Sequence, residues 1–129
     1  MENKHFLQRA ETVLLIAVGG IVGANARYAV SLVLPGISGT FAANVTGSLI
    51  LGFILYEATH TGLLADETRL VLATGFLSSY TTYSTFALQT VQANPFLGLS
   101  NVVANYAVGF VAAYTGSRLG ALLEEEQRW

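Results

Sequence analysis

The sequence predicts an all-α membrane protein with four transmembrane helices, the third of them broken near its middle. Only 11% of its 129 residues are charged, whereas a soluble domain averages about 25%. Hydrophobic residues make up 53% of the chain and form four runs, each long enough to cross a hydrocarbon core of ~30 Å. Most charges lie between these runs or at the chain ends. We therefore treat residues 1–129 as one transmembrane domain.

The composition also argues against several classes of function. The formal net charge of -2 gives no basis for nucleic-acid binding. The chain has no cysteine, and it shows no Ser/His/Asp set or metal-ligand cluster, so we expect no enzyme activity. Lys4 and Arg9 precede the first apolar run as in a secretion signal, but only further apolar segments follow, so we expect a permanent span.

The first span covers residues 12–34. Gly19 and Gly23 lie four positions apart, a spacing that lets another helix approach closely in lipid. Arg27 follows near the end of the span. Two roles stay open for it: a structural or interfacial role with its charge reaching the headgroups, or a direct electrostatic role toward an anion.

The second span covers residues 40–60, after a turn at 35–39 that Pro and Gly favour. Asn44 lies one turn inside this span. An unpaired amide in hydrocarbon is costly, so Asn44 either bonds to another helix or donates into a pore. Glu57 and His60 lie at the exit end, where we expect water to be close, and we assign them no chemistry.

The third span covers residues 68–92, which is longer than the bilayer core requires at ~1.5 Å per residue. It can therefore be interrupted and still cross, and we expect the interruption at residues 75–79. A break frees backbone groups that need a partner other than lipid. A cation on the freed carbonyls is one natural partner.

Aromatic and polar residues alternate after the expected break. Aromatic rings recur every third residue, at Tyr80, Tyr83 and Phe86. Hydroxyl and amide groups accompany them, at Thr81, Thr82, Ser84, Thr85 and Gln89. Aromatic stripes more often serve packing than ligand binding, but a polar stripe beside one at membrane depth is typical of the wall of a narrow polar path.

The fourth span covers residues 97–123 and also carries polar groups at membrane depth. They are Asn101, Asn105, Tyr106, Tyr114 and Thr115. Gly116 and Gly120 repeat the spacing of four. Four short helices leave little interior for so many polar groups and small-residue faces, so we expect a dimer.

Three functions remain possible at this point. The groups at depth are neutral or donate hydrogen bonds, and the positive edges of aromatic rings suit a small anion, which favours a passive anion path. A small proton-coupled multidrug or cation exporter would need a carboxylate deep in a span, and none is present. The third possibility is a non-transporting structural subunit, in which Asn44 and Tyr80 serve packing only.

Three ordered motifs resemble those of the Fluc/CrcB family of fluoride channels. They read GGIVGANARY at residues 19–28, GTFAANVTGS at 39–48 and GFLSSYTTYSTF at 75–86. Their order and spacing match the family, and the resemblance covers all four spans, most weakly the fourth.

The resemblance implies passive export of fluoride across the cell membrane, which lowers cytoplasmic fluoride and confers fluoride resistance. It also implies an antiparallel, dual-topology dimer with two pores. A structural sodium ion would lie at the dimer centre on the backbone carbonyls of Gly75 and Ser78.

The resemblance further assigns residues to the fluoride pore. The pore amide would be Asn44, and the two pore phenylalanines would correspond to Tyr80 and Tyr83. A hydroxyl track would comprise Thr81, Thr82, Ser84 and Thr85, with weaker candidates at Tyr106 and Thr115. Arg27 would lie in the vestibule or support the structure.

Two features depart from the family pattern. Tyrosine occupies both phenylalanine positions, which adds a hydroxyl in or near the path.

The second departure is the charge distribution. With four spans, one side would carry nearly all the basic residues, namely Lys4, Arg9, Arg69, Arg118 and Arg128. Such a bias favours a single orientation, whereas an antiparallel homodimer needs both. Either the bias is too weak to fix insertion, as we expect, or the chain pairs with an inverted partner subunit.

Overall fold

The protein is a bundle of helices, described by a computed structural model that covers the backbone of residues 2–126 and the side chains of residues 6–124. The helices are α1 (Glu2–Val33), α2 (Ile37–Thr61), α3 (66–80), α4 (Tyr83–Gln92) and α5 (Pro95–Glu126). No strand occurs in residues 2–126. The prediction of an all-α fold is confirmed. Two of the basic residues that the sequence predicts on one side of the membrane lie outside the described residues, namely the side chain of Lys4 and all of Arg128.

Three of these helices, α1, α2 and α5, are long and apolar enough to cross a membrane. The predicted third span corresponds to α3 followed by α4, two shorter helices. The helices extend beyond the predicted spans, since α1 and α5 each contain 32 residues. At ~1.5 Å per residue, each is roughly 48 Å long. Each therefore exceeds the ~30 Å core, and helix ends are expected to project from it.

The break in the third segment lies at Thr81 and Thr82, and the prediction of residues 75–79 is wrong. Thr81 has φ −80° and ψ 160°, and Thr82 has φ −151° and ψ 123°, so both are extended. Residues 75–79 are helical, with a wider π-helical winding over Leu70–Leu77. Gly75 serves packing: a Cβ there would lie 2.7 Å from the Ile16 carbonyl oxygen and 3.0 Å from the Gly19 Cα.

The small-residue faces are filled within the chain itself. A Cβ on Gly23 would lie 2.2 Å from the carbonyl oxygen of Phe76, so α1 and α3 touch through their backbones. A Cβ on Gly116 would lie 1.9 Å from the carbonyl oxygen of Leu49, which joins α5 to α2 in the same way. These faces therefore do not argue for a second subunit, and the dimer stays a prediction.

Glu57 lies in a buried ion pair, whereas the sequence led us to expect water close to it. Only 4% of the residue is exposed. Its carboxylate accepts hydrogen bonds from Arg69 Nε at 3.0 Å, from the Leu64 backbone N–H at 2.6 Å and from the Thr61 hydroxyl at 3.3 Å. Glu57 thus fastens the connection between α2 and α3 at one end of the bundle.

Candidate functional site

The break in the third segment is bridged by the side chain of Asn44 on α2. The Thr82 backbone N–H donates to Asn44 Oδ1 at 2.9 Å, and Asn44 Nδ2 donates to the Thr82 carbonyl at 3.2 Å. The amide therefore satisfies both backbone groups that Thr82 cannot place in a helix. The hydrogen bond between segments, one of the two roles open for Asn44, is present in the structure.

Thr82 also begins α4, because its hydroxyl caps that helix. Thr82 Oγ1 accepts the Thr85 backbone N–H at 3.2 Å and donates to Thr85 Oγ1 at 3.0 Å. Ser84 Oγ lies 3.4 Å from the same oxygen. Three hydroxyls thus gather at a helix N-terminus, where the helix dipole favours negative charge.

A cavity of about 470 Å³ opens beside the break. It brings together six of the residues that the sequence singled out, Asn44, Ser78, Thr81, Thr82, Tyr83 and Tyr106. Phe86 and Asn105 line it as well. The helices α2, α3, α4 and α5 and the break between α3 and α4 all contribute to this wall.

Aromatic residues form part of the wall of this cavity. The rings of Phe86 and Tyr106 meet edge to face, with centroids 6.2 Å apart at 83°. Tyr83 lies 5.8 Å from Phe86 and is 73% exposed. Phe86 was missed as a site residue, although its place in the aromatic series with a period of three was the signal for it.

Tyr80 points elsewhere. Its ring stacks on Phe76 at 5.3 Å, and its hydroxyl shares a 2.9 Å hydrogen bond with Thr46 on α2. It is not among the residues that line the cavity beside the break. The structure therefore separates the two tyrosines that the sequence had paired.

A second cavity of about 260 Å³ has Thr85 in its wall. It is lined by Arg27, Thr40, Thr85 and Gln89 among others. Gln89 Oε1 is buried there and has no hydrogen-bond partner among the described residues. Thr82 lines the first cavity and Thr85 the second, so the hydrogen bond between their hydroxyls links a wall residue of one cavity to a wall residue of the other.

The remaining predicted residues lie outside both cavities. Thr115 is exposed, and its hydroxyl donates to the Val111 carbonyl of its own helix at 2.8 Å. Ser84 is exposed next to the helix cap. Gly75 is buried against α1, and its carbonyl accepts the Ser78 hydroxyl at 3.2 Å.

A helical bundle with three helices long enough to cross a membrane, a broken segment between them and two cavities lined in part by polar groups is typical of a small multi-pass membrane protein of the transport class. Residues 14–117 match the family model described as CrcB-like protein, Camphor Resistance (CrcB). The chain belongs to this CrcB-like family, which confirms the resemblance found in the sequence.

Several relatives share most of their length with this chain. It is 47% identical over 116 residues to the "Fluoride-specific ion channel FluC 1" of Haloarcula marismortui, covering 90% of this chain and 91% of the relative. It is 49% identical over 106 residues to the protein of the same name in Natronomonas pharaonis, covering 81% and 89%. The "Fluoride-specific ion channel FluC 2" of Halobacterium salinarum is 43% identical over 120 residues, covering 92% and 94%.

Proposed function

We propose that this chain is a fluoride-specific passive ion channel, a transport protein and not an enzyme, which lets fluoride leave the cell across the cell membrane. The names of its relatives support this function. The observation that carries it is the hydroxyl pair of Thr82 and Thr85 at the N-terminus of α4, which links a wall residue of the first cavity to a wall residue of the second.

The chemistry of this junction suits a small anion. An ion leaves water only where fixed groups replace its hydration shell. Here the replacements are threonine hydroxyls, the helix N-terminus and the ring edges of Phe86 and Tyr106. Asn44 lines the first cavity and also bonds to Thr82 at the break. Its amide therefore both stabilises the break and lines the proposed route.

The second cavity would form the mouth of the route. Arg27 is half-buried there and forms no ion pair within residues 6–124, so its charge is available to attract an anion. The unpartnered end of the Gln89 amide faces the same region. A rotation of that amide by 180° presents its N–H₂ donors instead of its oxygen.

A structural sodium ion is the one cofactor that the family resemblance implies, and the residues fit it in part. Ser78 lies in the last turn of α3, where a helix end leaves carbonyls without intrahelical partners. Gly75 does not fit, because its carbonyl lies in continuous helix and accepts the Ser78 hydroxyl. The described residues contain no cluster of three or more His, Cys, Asp or Glu for a metal. A sodium ion would therefore rest on backbone oxygens at the end of α3, Ser78 included.

We further propose a dual-topology homodimer with two pores. The first cavity opens on a face where Tyr83 is 73% and Tyr106 is 51% exposed, and a second, inverted copy would close it. An inverted partner subunit of different sequence would serve the same purpose. Labelling of the α2–α3 connection from each face of the membrane separates these two arrangements.

No observation favours the proton-coupled exporter. Its candidate carboxylate, Glu57, is held by Arg69, Thr61 and the Leu64 backbone N–H. Loss of transport on Glu57→Gln would therefore not separate the two functions, because the substitution also loosens the fold. Asn44→Asp, the test of a purely structural subunit, likewise removes the donor to Thr82 and so alters the break as well as the charge.

The first experiment is ion efflux from liposomes that hold the purified protein. We expect fast fluoride efflux at an external fluoride electrode, while chloride is retained in parallel vesicles. Protein that is folded and dimeric but releases no fluoride would contradict the homomeric channel. Equal release of both ions would contradict the fluoride specificity.

A further inference from the structure

A chain of side-chain hydrogen bonds connects the two ends of α4 through other helices. It starts at Thr82, before the first residue of α4, and passes to Asn44 on α2. Asn44 Nδ2 donates to Asn105 Oδ1 at 3.3 Å, and Asn105 Nδ2 donates to Asn101 Oδ1 at 2.8 Å. Asn101 Nδ2 then donates to Thr90 Oγ1 at 2.8 Å, which returns the chain to α4 near its last residue.

The bonds of this chain all run in one direction. The Thr82 N–H occupies the oxygen of Asn44, so the Asn44 nitrogen must face Asn105. The same constraint passes to Asn105 and Asn101, because each oxygen already accepts a bond. Reversing any one amide would place two oxygens or two N–H₂ groups together. Bonds that run in one direction also polarise and strengthen one another.

Burial makes the chain costly to break. Asn101 is only 5% exposed, and the chain lies among helices that cross the membrane. An amide left unpaired there would lose the hydrogen bonds that water supplies elsewhere. α5 also packs against α2 through the backbone contact at Gly116, so the bond between Asn44 and Asn105 is not the sole contact between those two helices.

We propose that Asn101 and Asn105 are positioning residues that fix α4, and with it the rings of Tyr83 and Phe86, at the break, Asn105 through Asn44 and Asn101 through both Asn105 and Thr90. α4 has ten residues, too few to span the bilayer or to be stable alone. The asparagine chain holds it at both ends. Neither Asn101 nor Asn105 belonged to the sequence-predicted site.

The test measures the Thr82 amide in the full-length protein, by hydrogen exchange of ¹⁵N-labelled samples in nanodiscs. Asn105→Ala removes the acceptor for Asn44, and we expect the Thr82 N–H to exchange about three- to tenfold faster, as for the loss of one hydrogen bond. Asn101→Ala should shift it in the same direction by less. In an Asn44→Ala background, Asn105→Ala should add nothing further.

Asn25→Ala is the matched control, since the exposed Asn25 amide donates only to the Ile21 carbonyl of its own helix. It should leave Thr82 exchange unchanged. Unchanged Thr82 exchange in folded Asn105→Ala, or an equal effect in the Asn44→Ala background, would overturn the proposal. If Asn105→Ala does not fold, Asn101→Ala carries the test, and unchanged Thr82 exchange in that folded variant would overturn the proposal.

The transport consequence rests on the proposed fluoride channel. Asn105→Ala should lower fluoride efflux about three- to tenfold in step with the exchange rate, and Asn25→Ala should not. A wild-type protein without fluoride efflux would refute the channel and leave the exchange result intact. A change in exchange at Thr82 with full efflux would refute the positioning role in transport.

Discussion

Thr82 meets several demands within one residue. Its backbone N–H and carbonyl pair with Asn44, its hydroxyl caps α4, and its side chain lines the first cavity. It is 8% exposed. A threonine is suited to all of these demands because its β-branch favours extended backbone while its oxygen remains a strong capping group.

Thr82→Val should therefore be more damaging than its change in volume suggests. Valine keeps the shape but removes the cap, a loss of about 1 kcal/mol in helix stability, and it removes the hydroxyl that bonds to Thr85 on the wall of the second cavity. We expect fluoride efflux to fall by at least about tenfold, the factor that ~1.4 kcal/mol represents, because cap and junction are lost together.

Thr115→Val is the matched control in the same efflux assay. Thr115 bonds only to its own helix and lies outside both cavities, so we expect efflux close to that of the unmodified protein. A fall in Thr115→Val as large as in Thr82→Val would mean that the hydroxyl track follows α5.

Sequence reasoning identified several residues of the site, Asn44 and Thr82 among them, but missed Phe86 and did not identify their partners. The need of Asn44 for a hydrogen-bond partner follows from an amide at membrane depth. Its actual partner is 38 residues away and becomes available only where the helix breaks. Gln89 and Asn101 were visible as polar groups in apolar spans, yet their roles depend on which helix each one faces.

At the scale of elements, the third segment shows why the predicted position of the break was wrong. Glycine favours both helix interruption and close helix packing, and the sequence does not distinguish them. At Gly75 the packing role applies, because α1 presents Gly19 opposite it. The break itself uses two β-branched threonines, whose extended backbone is ordinary for that residue type.

The α1–α3 contact should be intolerant of a single methyl group. In Gly23→Ala the new Cβ would lie 2.2 Å from the Phe76 carbonyl oxygen, so the helices must separate, and overpacking of this kind costs about 1–3 kcal/mol. We expect a lower midpoint of thermal unfolding, followed by the loss of the monodisperse peak in size-exclusion chromatography.

Gly109→Ala, in contrast, should not lower the midpoint of thermal unfolding. Its Cβ would meet only Ser48 Oγ at 3.7 Å, an ordinary contact, and alanine favours the helix by about 1 kcal/mol. An equal loss of stability in both variants would indicate a general intolerance of alanine and not a backbone contact.

The ion pair of Glu57 with Arg69 should support the α2–α3 connection. Glu57→Gln leaves the Arg69 guanidinium without its buried carboxylate partner, so we expect a lower thermal midpoint. Asp66→Asn removes the other acid on Arg69, at 3.0 Å but with a side chain 92% exposed, and should have almost no effect. Equal shifts in the two variants would assign the stability to the net charge of the loop.

For the whole molecule, the charge distribution and the proposed dimer make opposing demands on orientation. The chain has no cysteine, and Leu63 in the α2–α3 connection is 62% exposed. A membrane-impermeant maleimide should label Leu63→Cys from both faces of the membrane if the chain inserts in both orientations. Labelling from one face only would require an inverted partner subunit of different sequence.

The bridge from Asn44 across the break also constrains how the protein is made. A ribosome delivers α2 to the membrane before the third segment, so the amide that Thr82 requires is already in place when Thr82 arrives. Asn105 follows only with α5, and until then Asn44 lacks that neighbour. Synthesis of this small protein should thus end when α5 arrives and fixes α4, which entered the membrane earlier. Truncated chains without α5 should remain accessible to quality-control proteases at the break.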